Sequence, residues 1–206
     1  MRLNLTRFIL GGWGVFFAAW FVLALRDRSA TLHQETLGSR LAYLALVGTD
    51  ALLLVFDLPV FGPLLSRFLP QGAGPGWLGP LFGGAGMALA LWARILLGRA
   101  WSPRVALRGD HRLVRRGPHA LIRHAIYAGC LLAVMGTVLA IGEIRGLIAV
   151  GLVAAGLAVK IWVEEAALLE RFGGDYRKYR AEVKRACPVS AMKEAGPSTS
   201  CQTGGV

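Results

Sequence analysis

The feature that most constrains this chain is a series of long apolar segments. A bilayer core about 30 Å thick needs roughly 20 apolar helical residues to span it. Five segments approach that length, and polar or Gly/Pro-rich stretches separate them: Phe8–Leu25, Leu41–Val60, Leu78–Leu97, Ile126–Ile141 and Leu147–Val163. The sequence therefore predicts an all-α integral membrane protein with about five transmembrane helices.

Composition supports this prediction. The chain is 55% hydrophobic and only 17% charged, whereas soluble domains average about 25% charged residues. This hydrophobicity excludes a disordered protein, and a count of three cysteines excludes a disulfide scaffold. A net charge of +11 is high for such an apolar chain, so the positions of the basic residues relative to the membrane have to account for it.

The basic residues lie unevenly about the five predicted spans. One side of the membrane would hold residues 1–7, the loop 61–77 and the turn 142–146, with only Arg2, Arg7, Arg67 and Arg145. The other side would hold the remaining 19 of the 23 Lys and Arg residues. Because cytoplasmic loops are enriched in Lys and Arg, we expect the N-terminus outside and the C-terminus in the cytosol. The positive charge then needs no nucleic acid to explain it.

A cluster of polar residues is predicted at the cytosolic mouth of the last two spans. Arg123-His124 precedes the fourth span, and Lys160 and Glu164-Glu165 lie at the end of the fifth. In an antiparallel hairpin these segments meet, with Tyr127 one turn deeper and Gly129 permitting close backbone approach. Taken singly, each residue has a simpler explanation: a solvated helix start for the glutamates, an interface anchor for Arg123 or Tyr127, and a hydrogen-bonded interface residue for His124.

The sequence after Glu165 has helical spacing of apolar residues, broken at Gly173-Gly174. We expect a second helix there that lies on the membrane surface, with Phe172, Tyr176 and Tyr179 on its apolar side and many Lys and Arg opposite. Basic amphipathic helices bind anionic headgroups. Upstream, Trp101 is either an interfacial anchor or a stacking partner.

Two blocks of this sequence resemble the isoprenylcysteine carboxyl methyltransferase family, integral-membrane enzymes related to the phospholipid N-methyltransferases. The family pattern GPYRxxRHPxYxG is read here from Gly117-Pro118 through Arg123-His124 and Tyr127 to Gly129. The second pattern is an acidic pair followed by LxxxFGxxYxxYxxxVxxxxP. It is read here from Glu164-Glu165 to Pro188. The resemblance covers roughly residues 90–188, and Trp101-Ser102 matches a weaker element.

The sequence divides into three parts. Hydrophobicity predicts N-terminal transmembrane helices over 1–78, the resemblance implies a methyltransferase core over 79–188, and a composition rich in Ser, Thr, Gly and Ala predicts a disordered tail over 189–206. Three positions depart from the family pattern: Ala125 replaces a proline, His119 a tyrosine and Ala120 an arginine. Proline at the first turn of a helix mainly pre-sets φ, so Ala125 should preserve the helix start. Because His119 and Ala120 do not match the family pattern, the resemblance implies no ligand-binding role for either residue.

The implied activity is methyl transfer from S-adenosylmethionine, bound on the cytosolic side, to a lipophilic acceptor that enters from the membrane. The expected catalytic residues are Arg123, Glu165 and Tyr127. The expected cofactor-binding residues are Trp101, Arg123, His124, Tyr127, Gly129, Glu164, Glu165 and Tyr176. No metal is required by this chemistry.

Three methyl acceptors are compatible with the sequence: a prenylated-cysteine carboxylate, a phospholipid amine and a small thiol. Two functions other than methyl transfer are also compatible with it. One is a membrane oxidoreductase similar to the sterol reductases, which use a nicotinamide cofactor. The other is a non-enzymatic module that binds lipid headgroups or acts as a small transporter.

Overall fold

The computed structural model describes residues 2–26, 48–49, 53–54, 59–69, 77–98 and 116–183. They form four α-helices: α1 (Arg2–Arg26), α2 (Leu78–Leu97), α3 (Ala125–Ile141) and α4 (Ile144–Glu182). Short 3-10 segments, Pro59–Leu65 and Gly117–Ala120, precede α2 and α3. These ranges contain no β-strand, so the described part of the chain is all-α, as predicted.

Within the described ranges, three helices are long and apolar enough to cross a membrane. They supply the segments Ile9–Arg26, Leu78–Leu97 and Ile144–Glu170, whereas α3 is apolar but has 17 residues. Large hydrophobic side chains point outward from them, among them Val15, 71% exposed, and Trp162, 69% exposed. Exposed apolar surface of this kind is typical of lipid-facing helices, and the predicted integral membrane fold is confirmed. Most of the predicted second span, 41–60, and the predicted tail, 189–206, fall outside the described residues.

Small residues hold α2 and α3 together in the tightest helix contact of the described fold. A Cβ on Gly136 would lie 2.1 Å from the backbone nitrogen of Gly83, and one on Gly86 would lie 2.3 Å from that of Ala133. Inside a membrane, such residues let helix backbones approach closely. Gly83 and Gly86 therefore lie in the contact between α2 and α3. A Cβ on Gly84, by contrast, would have no described neighbour within 4 Å.

Arg94 connects the ends of α1 and α2. Its side chain is fully buried, and it donates hydrogen bonds to the carbonyl oxygens of Gly98 at 3.2 Å and Leu23 at 3.4 Å. Carbonyls at a helix C-terminus lack intrahelical partners and carry partial negative charge. The guanidinium therefore stabilises two helix ends at once.

A tight turn joins α3 to α4 at the far end of the hairpin. Gly142 ends α3 in the left-handed conformation, with φ of +69°, and its carbonyl accepts a hydrogen bond from the N–H of Phe68 at 3.1 Å. Beside it, Arg145 Nε donates to Glu143 Oε2 at 2.8 Å, and both side chains are buried. The predicted hairpin is confirmed, and it sets the start of α3 beside the middle of α4.

The last helix is longer than the sequence predicted. The fifth span was expected to end at Val163, but α4 begins at Ile144 and runs without a break past Glu165. Ala, Leu and Glu are all good helix formers, so the change from apolar to polar composition does not end the helix. The break predicted near residue 173 is present, because Gly173 has φ of +46°, a conformation that glycine adopts readily. Beyond it, residues 174–182 form a last helical segment, which we call the C-terminal segment.

Candidate functional site

The predicted polar cluster forms at the start of α3. The 3-10 segment Gly117–Ala120 leads to His124, the residue that immediately precedes the helix, and α3 begins at Ala125. The helix thus still starts at position 125 with alanine in place of proline, as expected. Arg123 Nη1 donates to Glu165 Oε1 at 3.0 Å, and His124 Nε2 lies 3.2 Å from the same oxygen. Residues more than forty positions apart are therefore in direct contact.

The second carboxylate has its own partners. The hydroxyl of Tyr127 donates a hydrogen bond to Glu164 Oε1, and His124 Nδ1 lies 3.8 Å from Glu164 Oε2. The rings of His124 and Tyr127 are stacked with their centroids 5.8 Å apart. The imidazole thus lies between the two glutamates, with one nitrogen facing each carboxylate.

Burial and charge set the character of this cluster. The side chains of Arg123, His124 and Glu165 are all at most 7% exposed, whereas Glu164 is 22% exposed. Two neighbouring carboxylates repel each other unless cations face them, and here Arg123 contacts Glu165 directly. Lys160 adds a second cation, with its ammonium 5.8 Å from the centroid of the Tyr127 ring.

The C-terminal segment closes one side of the cluster. Tyr176 and Tyr179 are 1% and 5% exposed, and their ring centroids are 6.1 Å apart. The hydroxyl of Tyr179 donates to the carbonyl oxygen of His119 at 2.7 Å. Burial raises the pKa of Tyr176 to about 12; the charge of Glu165 acts in the same direction, and that of Arg123 opposes it. The hydroxyl of Tyr176 is therefore protonated and within electrostatic reach of the ion pair.

His119 replaces the family tyrosine and is a buried structural contact. Its Nε2 lies 3.2 Å from the carbonyl oxygen of Ala93, at the end of α2. Burial lowers the pKa of its imidazole, and contacts with the main chain of Ala93 and Arg123 only partly offset this effect. His119 thus links α2, the start of α3 and the C-terminal segment. Its sequence position alone gave no sign of these contacts.

The other predicted site residues have different surroundings. Gly129 lies against α2, where a Cβ would be 2.6 Å from the backbone nitrogen of Ala90. A backbone does come close to Gly129, as predicted, and it is the backbone of α2. Ala120 is exposed, and Trp101 lies outside the described residues. Among the described residues, no group of three or more His, Cys, Asp or Glu side chains has a metal-binding arrangement.

This region is similar to known proteins both in sequence and in fold. The model of the isoprenylcysteine carboxyl methyltransferase family matches residues 82–170. The solved structure of the eukaryotic intramembrane Ras methyltransferase ICMT, determined without a monobody, has a similar fold, with a TM-score of 0.56 and 22% sequence identity. The similarity covers 76% of this chain and 54% of that one, so it extends over about half of the longer protein. No curated protein sequence matches.

The matched region contains the polar cluster and ends before the C-terminal segment. It begins inside α2, includes all of α3 and stops at Glu170 in α4. Residues 82–170 are thus similar to the isoprenylcysteine carboxyl methyltransferase family, the resemblance that the two sequence motifs predicted. Within them, Arg123, His124 and Tyr127 face Glu164 and Glu165.

Proposed function

We propose that this protein is an S-adenosylmethionine-dependent methyltransferase that acts on a lipophilic acceptor at the cytosolic face of a membrane. One observation carries the proposal: Arg123, His124 and Tyr127 converge on Glu164 and Glu165 within the region that matches the family. A buried ion pair contributes little net stability, because desolvation offsets the attraction between the charges. Several such groups at the mouth of an apolar hairpin therefore favour a binding role.

The residues of the cluster fit the proposed cofactor. S-adenosylmethionine has a carboxylate, a ribose diol, an adenine and a cationic sulfonium, and when bound it supplies the methyl group. Arg123 suits the carboxylate. Glu164 and Glu165 suit hydroxyl or amine donors, and their charge favours a cation. The ring face of Tyr127 already has the Lys160 ammonium 5.8 Å from its centroid, so it presents a surface that attracts cationic groups.

The same residues could promote the chemistry chiefly by positioning. Methyl transfer is an in-line displacement, so alignment of the reactants and exclusion of water lower the barrier. Arg123, Glu165 and Tyr127 are each held by hydrogen bonds or ion pairs across the α3–α4 contact, which restricts their motion. An acceptor carboxylate needs no general base. A thiol or amine acceptor would need one, and His124 or a glutamate is the candidate.

The proposed orientation puts the N-terminus outside and the cluster in the cytosol, from the distribution of Lys and Arg. Exposed basic residues on the C-terminal segment, Arg177, Lys178 and Arg180, would then face anionic headgroups.

The acceptor of this proposal is a prenylated-cysteine carboxylate. The alternatives are a phospholipid amine and a small thiol. Membranes incubated with a labelled methyl donor would distinguish them, since the label would enter protein, lipid or a volatile product.

Binding of S-adenosylhomocysteine to the purified full-length protein tests the proposal. We expect the wild type to bind and Glu165→Gln or Arg123→Lys to weaken binding by about tenfold or more, because each removes a charge or a planar donor set. Glu143→Gln is the matched control, since it alters a buried carboxylate–arginine pair at the other end of the same hairpin. We expect this variant to retain wild-type affinity.

Three results would contradict the proposal. Equal binding by Glu165→Gln, Arg123→Lys and the wild type would remove the cluster from the site. Stabilisation by NADPH in place of S-adenosylhomocysteine would favour the oxidoreductase alternative. Stabilisation by anionic lipid alone would favour a headgroup-binding module.

A further inference from the structure

A single lysine interrupts the apolar part of α4 just before the polar cluster. Lys160 is the only charged residue between Arg145 and Glu164 in the sequence. It lies within Ile144–Glu170, a segment long and apolar enough to cross a membrane. A charge within a transmembrane segment is costly, and residues that carry one usually have a functional role. Packing alone therefore does not explain a lysine at this position.

The ammonium of Lys160 points to the polar cluster. It lies 5.8 Å from the centroid of the Tyr127 ring, whose hydroxyl donates a hydrogen bond to Glu164. Residues 160 and 164 are about one helical turn apart, so their side chains share a face of α4. The neighbouring side chains of Val159 and Trp162 are 66% and 69% exposed, whereas Lys160 is half-buried. The cation is thus directed to the site and away from the lipid.

Lys160 changes the charge balance of the site. Glu164 and Glu165 bring two negative charges, and Arg123, whose Nη1 lies 3.0 Å from Glu165 Oε1, brings one positive charge. Lys160 brings a second positive charge. Charges a few ångströms apart interact strongly where little water separates them. Without Lys160, the other three residues would carry a net negative charge and would attract a cationic ligand more strongly.

We propose that Lys160 is a specificity-determining residue whose ammonium disfavours the cationic methyl donor relative to its neutral product. The inference rests on the proposed function and deepens it. S-adenosylmethionine and S-adenosylhomocysteine differ by one methyl group and by the positive charge on sulfur. An ammonium in the site repels the sulfonium of the first ligand, and the neutral sulfur of the second is not subject to this repulsion.

The same repulsion favours methyl transfer. As the acceptor atom forms its bond to the methyl carbon, the carbon–sulfur bond breaks and the sulfur keeps the electron pair, so the sulfonium becomes a neutral thioether. Lys160 therefore repels the bound donor more than the transition state, in which the charge on sulfur has already fallen. An interaction that differs between the two states in this direction raises the rate of the chemical step.

Ligand binding to the purified full-length protein tests this role. Lys160→Met removes the charge and keeps a side chain of similar length, whereas Lys160→Arg keeps the charge. The ligands are S-adenosylmethionine, S-adenosylhomocysteine and sinefungin, which has a protonated amine in place of the methyl-bearing sulfonium. We expect Lys160→Met to bind the two cationic ligands about tenfold more tightly, relative to S-adenosylhomocysteine, than the wild type does. In Lys160→Arg these relative affinities should change by less than about twofold.

Two further variants separate this role from a structural one. Lys178→Met removes an exposed cation from the C-terminal segment, so it lowers the net charge of the protein equally, and its relative affinities should stay within about twofold of the wild type. Lys160→Gln removes the charge but keeps a polar end. It should give the same shift as Lys160→Met, and it serves as the test variant if methionine prevents folding.

The outcomes are distinct. A shift towards the cationic ligands in Lys160→Met and Lys160→Gln alone supports the role of Lys160. Relative affinities that do not change, that shift against the cationic ligands, or that shift equally in Lys178→Met would overturn this role and leave the proposed function intact. A wild-type protein that binds none of the three ligands would instead overturn the proposed function, and the role of Lys160 with it.

Discussion

Arg123 and Glu165 are 42 positions apart in the chain, yet Arg123 Nη1 lies 3.0 Å from Glu165 Oε1 and neither side chain is more than 7% exposed. The contact exists because α3 and α4 form an antiparallel hairpin whose turn lies at Gly142. It joins the segment before one helix to the middle of the next. The pair therefore serves both the packing of the hairpin and the geometry of the candidate site.

The pair should be strongly coupled in stability. Glu165→Ala leaves the Arg123 guanidinium buried without its carboxylate, and we expect it to lower the free energy of unfolding by about 3–5 kcal/mol. Arg123→Ala should have a similar effect. The double variant should be less destabilised than the sum of the two, when unfolding is measured in mixed detergent micelles. Strictly additive effects would show that the two side chains do not interact.

The α2–α3 contact makes a second prediction. A Cβ on Gly136 would lie 2.1 Å from the backbone nitrogen of Gly83, and backbone atoms cannot move aside as a flexible side chain does. We expect Gly136→Ala to destabilise the protein by about 1–3 kcal/mol or more, as overpacked contacts do. Gly84→Ala is the control on α2, because its Cβ would have no described neighbour within 4 Å. Gly84→Ala should leave the free energy of unfolding unchanged or raise it. A comparable loss of stability in both variants would contradict the close packing of α2 and α3.

The main contacts of the site could be predicted from sequence because they follow from helical periodicity and hairpin geometry. Arg123-His124 and Glu164-Glu165 flank two apolar runs joined by a short turn, so an antiparallel hairpin must bring them together. The length of α4 could not be predicted in the same way. Its polar half contains good helix formers, and only the backbone conformation of Gly173 interrupts it.

Contacts to the main chain leave no pattern in the sequence. Arg94 binds the carbonyls of Leu23 and Gly98, and His119 lies beside that of Ala93. A carbonyl is present at every position, so no residue type marks it as a partner. For this reason the sequence shows Arg94 only as a basic residue inside the predicted span Leu78–Leu97, and His119 only as a departure from the family motif.

His119 should make stability depend on pH. Burial lowers the pKa of its imidazole below the ordinary value of 6.5. The unfolded chain thus takes up a proton at a pH where the folded protein does not. The contribution of His119 to stability is fully present above about pH 6.5 and is lost as the pH falls through the folded pKa. Unfolding measured from pH 5 to 8 should show a smaller acid-side decline for His119→Gln than for the wild type. Identical profiles would contradict this assignment.

Gly173 should control how the C-terminal segment docks. Its φ of +46° and ψ of −112° lie in a region that an alanine adopts only with strain, at a cost of about 1–3 kcal/mol. We expect Gly173→Ala to lower the unfolding temperature and to weaken S-adenosylhomocysteine binding, because Tyr176 reaches the cluster only when this segment is docked. Gly174→Ala is the matched control, since its φ is not positive and its Cβ would have no described neighbour within 4 Å. Wild-type affinity in Gly173→Ala would show that the cluster binds its ligand without the C-terminal segment.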